Sequence, residues 1–119
     1  VYQCLNIPAE SVILHAGLEV TEVLTGTSSD TGYDLGITGG DVDNFVDGFD
    51  ADGASAGAYA PTSAAYAPVM VGAADTLDIL VAAQTGTTLT GKIRVFATLM
   101  DVSDAGDMAA NEVDRDTLA

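Results

Sequence analysis

Basic residues are almost missing from this sequence. Lys92, Arg94 and Arg115 stand against eighteen acids, fourteen of them aspartate, for a net charge of −15 at pH 7. That balance repels polyanions and anionic lipid, so nucleic acid and membrane surfaces are not expected partners. One cysteine, Cys4, rules out an intrachain disulfide and a cysteine-rich zinc site, and it reads as a buried structural thiol. One histidine, His15, has no nucleophilic serine or cysteine signature around it and no Gly-x-Ser-x-Gly elbow, so acid–base and nucleophilic catalysis lack their usual components. It reads as a surface or strand-end histidine. No glycine motif opens a helix in the manner that cradles phosphate. No apolar run nears the roughly 20 residues that cross a bilayer as a helix, and the N-terminus lacks the basic start and apolar stretch of a signal peptide. The chain therefore reads as soluble and non-enzymatic. Two carboxylates can cleave a glycosidic bond, but with acids this abundant such pairs arise by chance.

What is present is enough for one core. A length of 119 residues suits a single domain, and 48% of the residues are hydrophobic. A domain this small leaves much of its surface exposed, so partners can add to its stability. Many aspartates lie beside Gly or Thr, where a short carboxylate bonds nearby backbone and favours turns. So many hydrated carboxylates with so little lysine also suit a salty medium, in which self-repulsion is screened over about 8 Å or less.

The recurring period is two, which predicts strands. Leu5 and Ile7 start a first strand that Pro8 ends. Ser11 to Thr25, with Val12, Leu14, Leu18, Val20 and Leu24, forms a pair of strands or one long strand kinked at Gly17. Glu19 and Glu22 would also suit a helix there, but β-branched residues favour a strand. Tyr33, Leu35 and Ile37 share one strand face, after which Gly39-Gly40-Asp41 turns the chain. Asn44 to Phe49 is a short strand or irregular, and Asp50 to Pro68, rich in Ala, Gly, Ser, Tyr and Pro, is a long loop. Two clear strands follow. In Thr76 to Val81, Leu77, Ile79 and Val81 share one face. In Lys92 to Val102, Ile93, Val95, Ala97 and Leu99 form one face, and Arg94, Phe96, Thr98, Met100 and Val102 the other. Both faces of this last strand are largely apolar, as expected of a central strand or one covered by a neighbouring subunit. These two strands are expected to pair through the Gly86–Gly91 turn. The fold class expected is all-β, a β-sandwich or jelly-roll-like barrel over residues 1–102, followed by an acidic C-terminal arm, 103–119.

Two groups of residues invite a functional reading. Asp41, Asp43, Asp47, Asp50 and Asp52 crowd carboxylates as calcium would require, yet Phe45 occupies a ligand position of the helix-flanked calcium loop and no Glu closes it. The alternative is an acidic turn anchored to the core by Phe45, Val46 and Phe49. No cofactor other than a possible calcium is expected. The second group is Tyr59 and Tyr66, near Pro61 and Pro68, together with Phe96 and Met100: aromatic and methionine side chains of the kind enriched at protein interfaces.

The order of segments adds a resemblance. Gly17-Leu-Glu-Val-Thr-Glu-Val-Leu-Thr-Gly, Tyr33-Asp-Leu-Gly-Ile-Thr-Gly-Gly-Asp-Val-Asp-Asn-Phe-Val-Asp-Gly, Ala74-Asp-Thr-Leu-Asp-Ile-Leu-Val and Thr90-Gly-Lys-Ile-Arg-Val-Phe-Ala together resemble small virion proteins of tailed bacteriophages, over about residues 12–102. Proteins of that kind decorate or cement capsids. The resemblance implies a β-sandwich or jelly-roll subunit on the capsid surface, partnered by the major capsid protein and by copies of itself in a homo-oligomer such as a trimer. It carries over no site residue. A fibre or tail component is the nearest variant of this reading. A calcium- or carbohydrate-binding β-sandwich module is the competitor from another class.

Overall fold

The computed structural model describes residues 1–26, 29–51, 54–60, 68–85 and 89–102. The described residues form eight strands: β1 (Tyr2–Ile7), β2 (Ser11–Gly26), β3 (Ser29–Ile37), β4 (Val46–Asp50), β5 (Tyr59–Ala60), β6 (Val69–Val71), β7 (Asp75–Thr85) and β8 (Leu89–Asp101). They make two four-stranded antiparallel sheets. The first has the order β1-β7-β3-β4. In the second, β2 is central, with β8 along one side and β5 and β6 in tandem along the other. Residues 103–119, expected to be an acidic arm, lie outside the described residues, as do Asp52 and Tyr66.

The core follows from alternation. Leu5, Leu77 and Ile37 pair across β1, β7 and β3, and so do Ile79 and Leu35 in the next inward row. From the second sheet Ile13, Ala16, Leu18 and Val20 join the same buried cluster, with Ile93, Val95 and Ala97 of β8 packed against it. Phe45 is fully buried and donates its backbone N–H to the Leu35 carbonyl at 2.9 Å, so the acidic turn before β4 is anchored as its apolar residues predict. Truncating one of these large buried side chains to Ala costs about 2–5 kcal/mol, from lost transfer energy and the cavity left behind.

The inward positions of β2 skip from Ile13 to Ala16, which strict alternation forbids. The register explains it. Ile13 faces Leu99 but His15 faces Thr98, so Leu14 is an extra residue; Thr21 is extra between Val20 and Glu22, and one more residue is extra between Glu22 and Thr25. Three one-residue bulges on β2 let its 16 residues match the 13 of β8. Each bulge bends the strand and sharpens its twist. Val12 and Leu14, before and at the first bulge, therefore lie outside the core that buries Leu18 and Val20 beyond it. No kink at Gly17 is needed, since β2 runs through it unbroken.

The expected hairpin of Thr76–Val81 with Lys92–Val102 does not form. β7 pairs with β1 and β3, while β8 pairs with β2 in the other sheet. Ser29 of β3 faces Thr85, and Gly26 of β2 faces Leu89, so the chain changes sheets between 26 and 29 and again between 85 and 89. A short glycine-containing connection serves a crossover between layers as readily as a hairpin, and alternation reports which face is buried, not which strand lies alongside. Nor is β8 central. It has one strand partner among the described residues, and its two apolar faces arise because one covers the core and the other is open.

Cys4 also departs from expectation. Between Gln3, opposite Asp78, and Leu5, opposite Leu77, it is the extra residue of a bulge on edge strand β1, and it is exposed.

Candidate functional site

The second sheet turns its outer face away from the core, and side chains from four strands collect there. Cα partners in an antiparallel pair point to the same side, so the rows can be read from the register. At one end Met70 of β6, Val12 of β2 and Met100 of β8 form a row. Next comes His15 with Thr98, then Gly17 with Phe96. Tyr59 of β5, Glu19 of β2 and Arg94 of β8 close the far end. Val12 to Glu19 spans six strand steps once the bulge is discounted, roughly 20 Å.

Within this face Tyr59 is 60% exposed, Met70 55% and Met100 47%. Phe96 is half-buried because its ring folds over Gly17 and stacks against His15, centroids 5.8 Å apart and planes 24° apart. The Gly17 position permits this. A Cβ there would lie 2.6 Å from Phe96 Cζ and 2.5 Å from the Ala60 carbonyl oxygen, so only glycine lets the ring and strand β5 approach β2 so closely. The polar end of the face is held by ion pairs: Arg94 reaches Glu19 at 3.4 Å, and Lys92 reaches Glu22 at 2.9 Å. The Glu22 carboxylate, through its hydrogen bond and charge, raises the Lys92 ammonium above its ordinary value.

The structure thus gathers three of the four residues predicted for an interface, Tyr59, Phe96 and Met100, on one sheet face. It adds Met70, which the sequence reading passed over. The signal was the triplet Val69-Met-Val71, in which a buried Val71 puts Met70 outward, but three residues are too few to establish a period. Aromatic residues, Met and Arg are the types enriched in interface centres.

The acidic segment is organised differently. Asp41 accepts the Asp43 backbone N–H at 3.5 Å, a local turn bond, and Asp41, Asp47 and Asp50 are exposed. A side-chain hydrogen bond with Asp41, then the charges of Asp41 and Asp47, raise the Asp43 carboxyl above the ordinary carboxylate value. Among the described residues no three acidic, His or Cys side chains converge as metal ligands would. The buried carboxylates are others. Asp34, 6% exposed, accepts the Gly48 N–H at 2.7 Å, and Asp78, 4% exposed, accepts the Thr38 hydroxyl. Both alternate with apolar neighbours along their strands, where period two predicts exposure; Asp34 is met by Gly48 in the bulge of β4 and Asp78 by Thr38 just beyond β3.

Beside β1 and β7 an open cleft of about 420 Å³ is lined by Gln3, Asn6, Thr38, Asp75 and Thr76 among others. Asp75 accepts the backbone N–H groups of Gly39 at 2.9 Å and Thr76 at 2.8 Å, so its carboxylate fastens the turn after β3. No helix of the described residues is long and apolar enough to cross a membrane. Compared with known proteins, the chain matches no family model, no curated protein and no solved structure.

Proposed function

We propose that this chain is a structural subunit of a virus particle, a β-sandwich or jelly-roll-like domain that decorates or cements the capsid by bridging major capsid subunits. The observation that carries the reading is the outer face of the second sheet, where exposed Tyr59, Met70 and Met100 surround the Phe96 ring on a rigid strand scaffold. A binding role of this kind needs no deep pocket, only large side chains held in place before contact, so that little conformational entropy is lost on association. The segments that resemble small phage virion proteins supply much of β2, β3, β7 and β8, the four long strands that frame this face and the core beneath it. The charge of −15 would aid solubility and keep copies from clumping indiscriminately before assembly. Many copies on a symmetric shell would make weak individual contacts strong collectively.

The test is direct. Gradient-purified particles should contain the chain in a fixed ratio to the major capsid protein, at hundreds of copies for decoration or cement and tens for a vertex, fibre or tail. The purified chain should bind shells lacking it. Replacing both Tyr59 and Met100 by Ala should weaken that binding by about 2–4 kcal/mol if they act as interface anchors. Absence from particles, or a wild-type chain that does not bind such shells, ends the reading.

A further inference from the structure

We infer that β8 is an assembly edge, and that its unpaired side joins the same strand of a second copy, antiparallel, to make one sheet continuous across a two-fold axis.

The strand edges of the two sheets differ in length and regularity. Outer strands expose unpaired N–H and C=O groups, and proteins usually blunt them by shortening, bulging or charging the strand. Edge strand β1 has six residues and carries the Cys4 bulge. Strand β4 has five, with an extra residue between Val46 and Phe49. The β5 and β6 edges are two and three residues long. Strand β8 has thirteen residues, contains no proline, and pairs only with β2 among the described residues. Each of the three bulges in that pair places its extra residue on β2, and β8 departs from regular extension at Gly91, φ 148°, near its start. It is the one long edge without a bulge of its own among the described strands.

Charge points to the occupant. Two of the chain's three basic residues, Lys92 and Arg94, lie on β8. Their tips reach back over β2 to Glu22 and Glu19 and neutralise those acids, so these pairs add no net charge to the strip beside the edge. On a molecule of charge −15, this strip is where a second copy meets least repulsion. A closed two-fold contact uses the edge once per copy and ends there, giving a dimer and not a fibre.

The partner is thus a second copy of this chain, independently of whether it sits on a capsid. Sedimentation equilibrium of the full chain should give twice the chain mass at high concentration, with a dissociation constant that falls as salt screens the residual repulsion. Amide hydrogen exchange, followed by NMR across the same concentrations, should show alternate β8 amides, those turned away from β2, gaining protection as dimer forms. Replacing Lys92 and Arg94 together by Gln uncovers Glu22 and Glu19 and should weaken the dimer at least about tenfold, with the unfolding midpoint nearly unchanged because exposed ion pairs contribute little. Four results overturn the inference: a monomer up to about 1 mM, weaker than any specific contact of this kind; a dimer whose outward β8 amides exchange as in the monomer; a monomer in which those amides are protected at every concentration, meaning that another part of the chain covers the edge; or a folded double variant that dimerises as tightly as the parent.

Discussion

The ring of Phe96 lies over Gly17, its cross-strand partner, in space that a single methyl group would fill. Gly17→Ala must therefore push Phe96 off β2 or move the Ala60 carbonyl, and the carbonyl belongs to a backbone paired with Leu18. The expected loss is about 1–3 kcal/mol, the usual cost of overpacking a filled site. A urea unfolding curve gives the loss. The chemical shifts of the His15 ring protons report the local change, because displacing Phe96 removes its ring current. Unchanged His15 shifts in a destabilised variant would mean that β5 moves instead.

The Asp34 carboxylate accepting the Gly48 N–H makes a second prediction. Gly48 sits in the bulge of β4 at φ 69°, the left-handed region that glycine enters without a Cβ penalty. Asp34→Ala leaves a part-buried donor without its acceptor and should cost about 1–3 kcal/mol. Asp34→Asn, which keeps an acceptor oxygen, should cost less. Gly48→Ala strains the bulge by about 1–2 kcal/mol. The double variant Asp34→Ala/Gly48→Ala should lose less than the sum of the singles, because both act on one bulge. Full additivity in the double-mutant cycle would separate the carboxylate from the bulge.

These two sites mark where sequence reading succeeds and where it stops. Period two located the cores of β3, β7 and β8, since Leu35, Leu77 and Val95 each repeat with their neighbours over several residues. It also set Phe96 and Met100 together on one face of β8, opposite Val95, without telling which face is open. It could not foresee the shift at Leu14, because a bulge leaves no composition signature within one strand and shows only against its partner. The pairing of β8 with β2 joins residues more than sixty positions apart, and nothing local distinguishes it from pairing with β7. Asp34 and Asp78 look like exposed acids in sequence, yet both are buried, bonded to Gly48 and Thr38, partners fourteen and forty positions away.

Cys4 should be a slow nucleophile despite its exposure. Burial of the sulfur against its surroundings is the main cause raising its thiol above the ordinary value, and the Asp78 charge adds to this, against a lowering by a backbone hydrogen bond at Ile79. Because the thiolate is the reactive form, alkylation by iodoacetamide at pH 7 should run more slowly than for a cysteine in an unfolded peptide. The rate should rise with pH to an inflection above that of the peptide. Asp78→Asn should bring the inflection down, though only partly. A rate matching the free peptide at every pH would show the sulfur fully hydrated.

The acidic turn before β4 makes the last prediction, and its sign follows from linkage. Asp41 and Asp47 raise the Asp43 carboxyl above its ordinary value of 3.8 in the folded state. The folded chain then holds this proton more tightly than the unfolded chain, so stability falls as pH rises from the ordinary value through the raised one. Above that window the repulsion is fully present; below it both states are protonated and the site contributes no difference. Asp43→Asn should accordingly raise the unfolding midpoint at pH 7 and leave it nearly unchanged near pH 3, measured by thermal melts across that range at fixed salt. Calcium separates the two readings of this turn. If the carboxylates form only a solvated turn, millimolar calcium should move the midpoint no more than magnesium at equal ionic strength. A calcium-specific rise that Asp43→Asn abolishes would instead establish a binding loop, and would favour the metal-binding module over the capsid subunit.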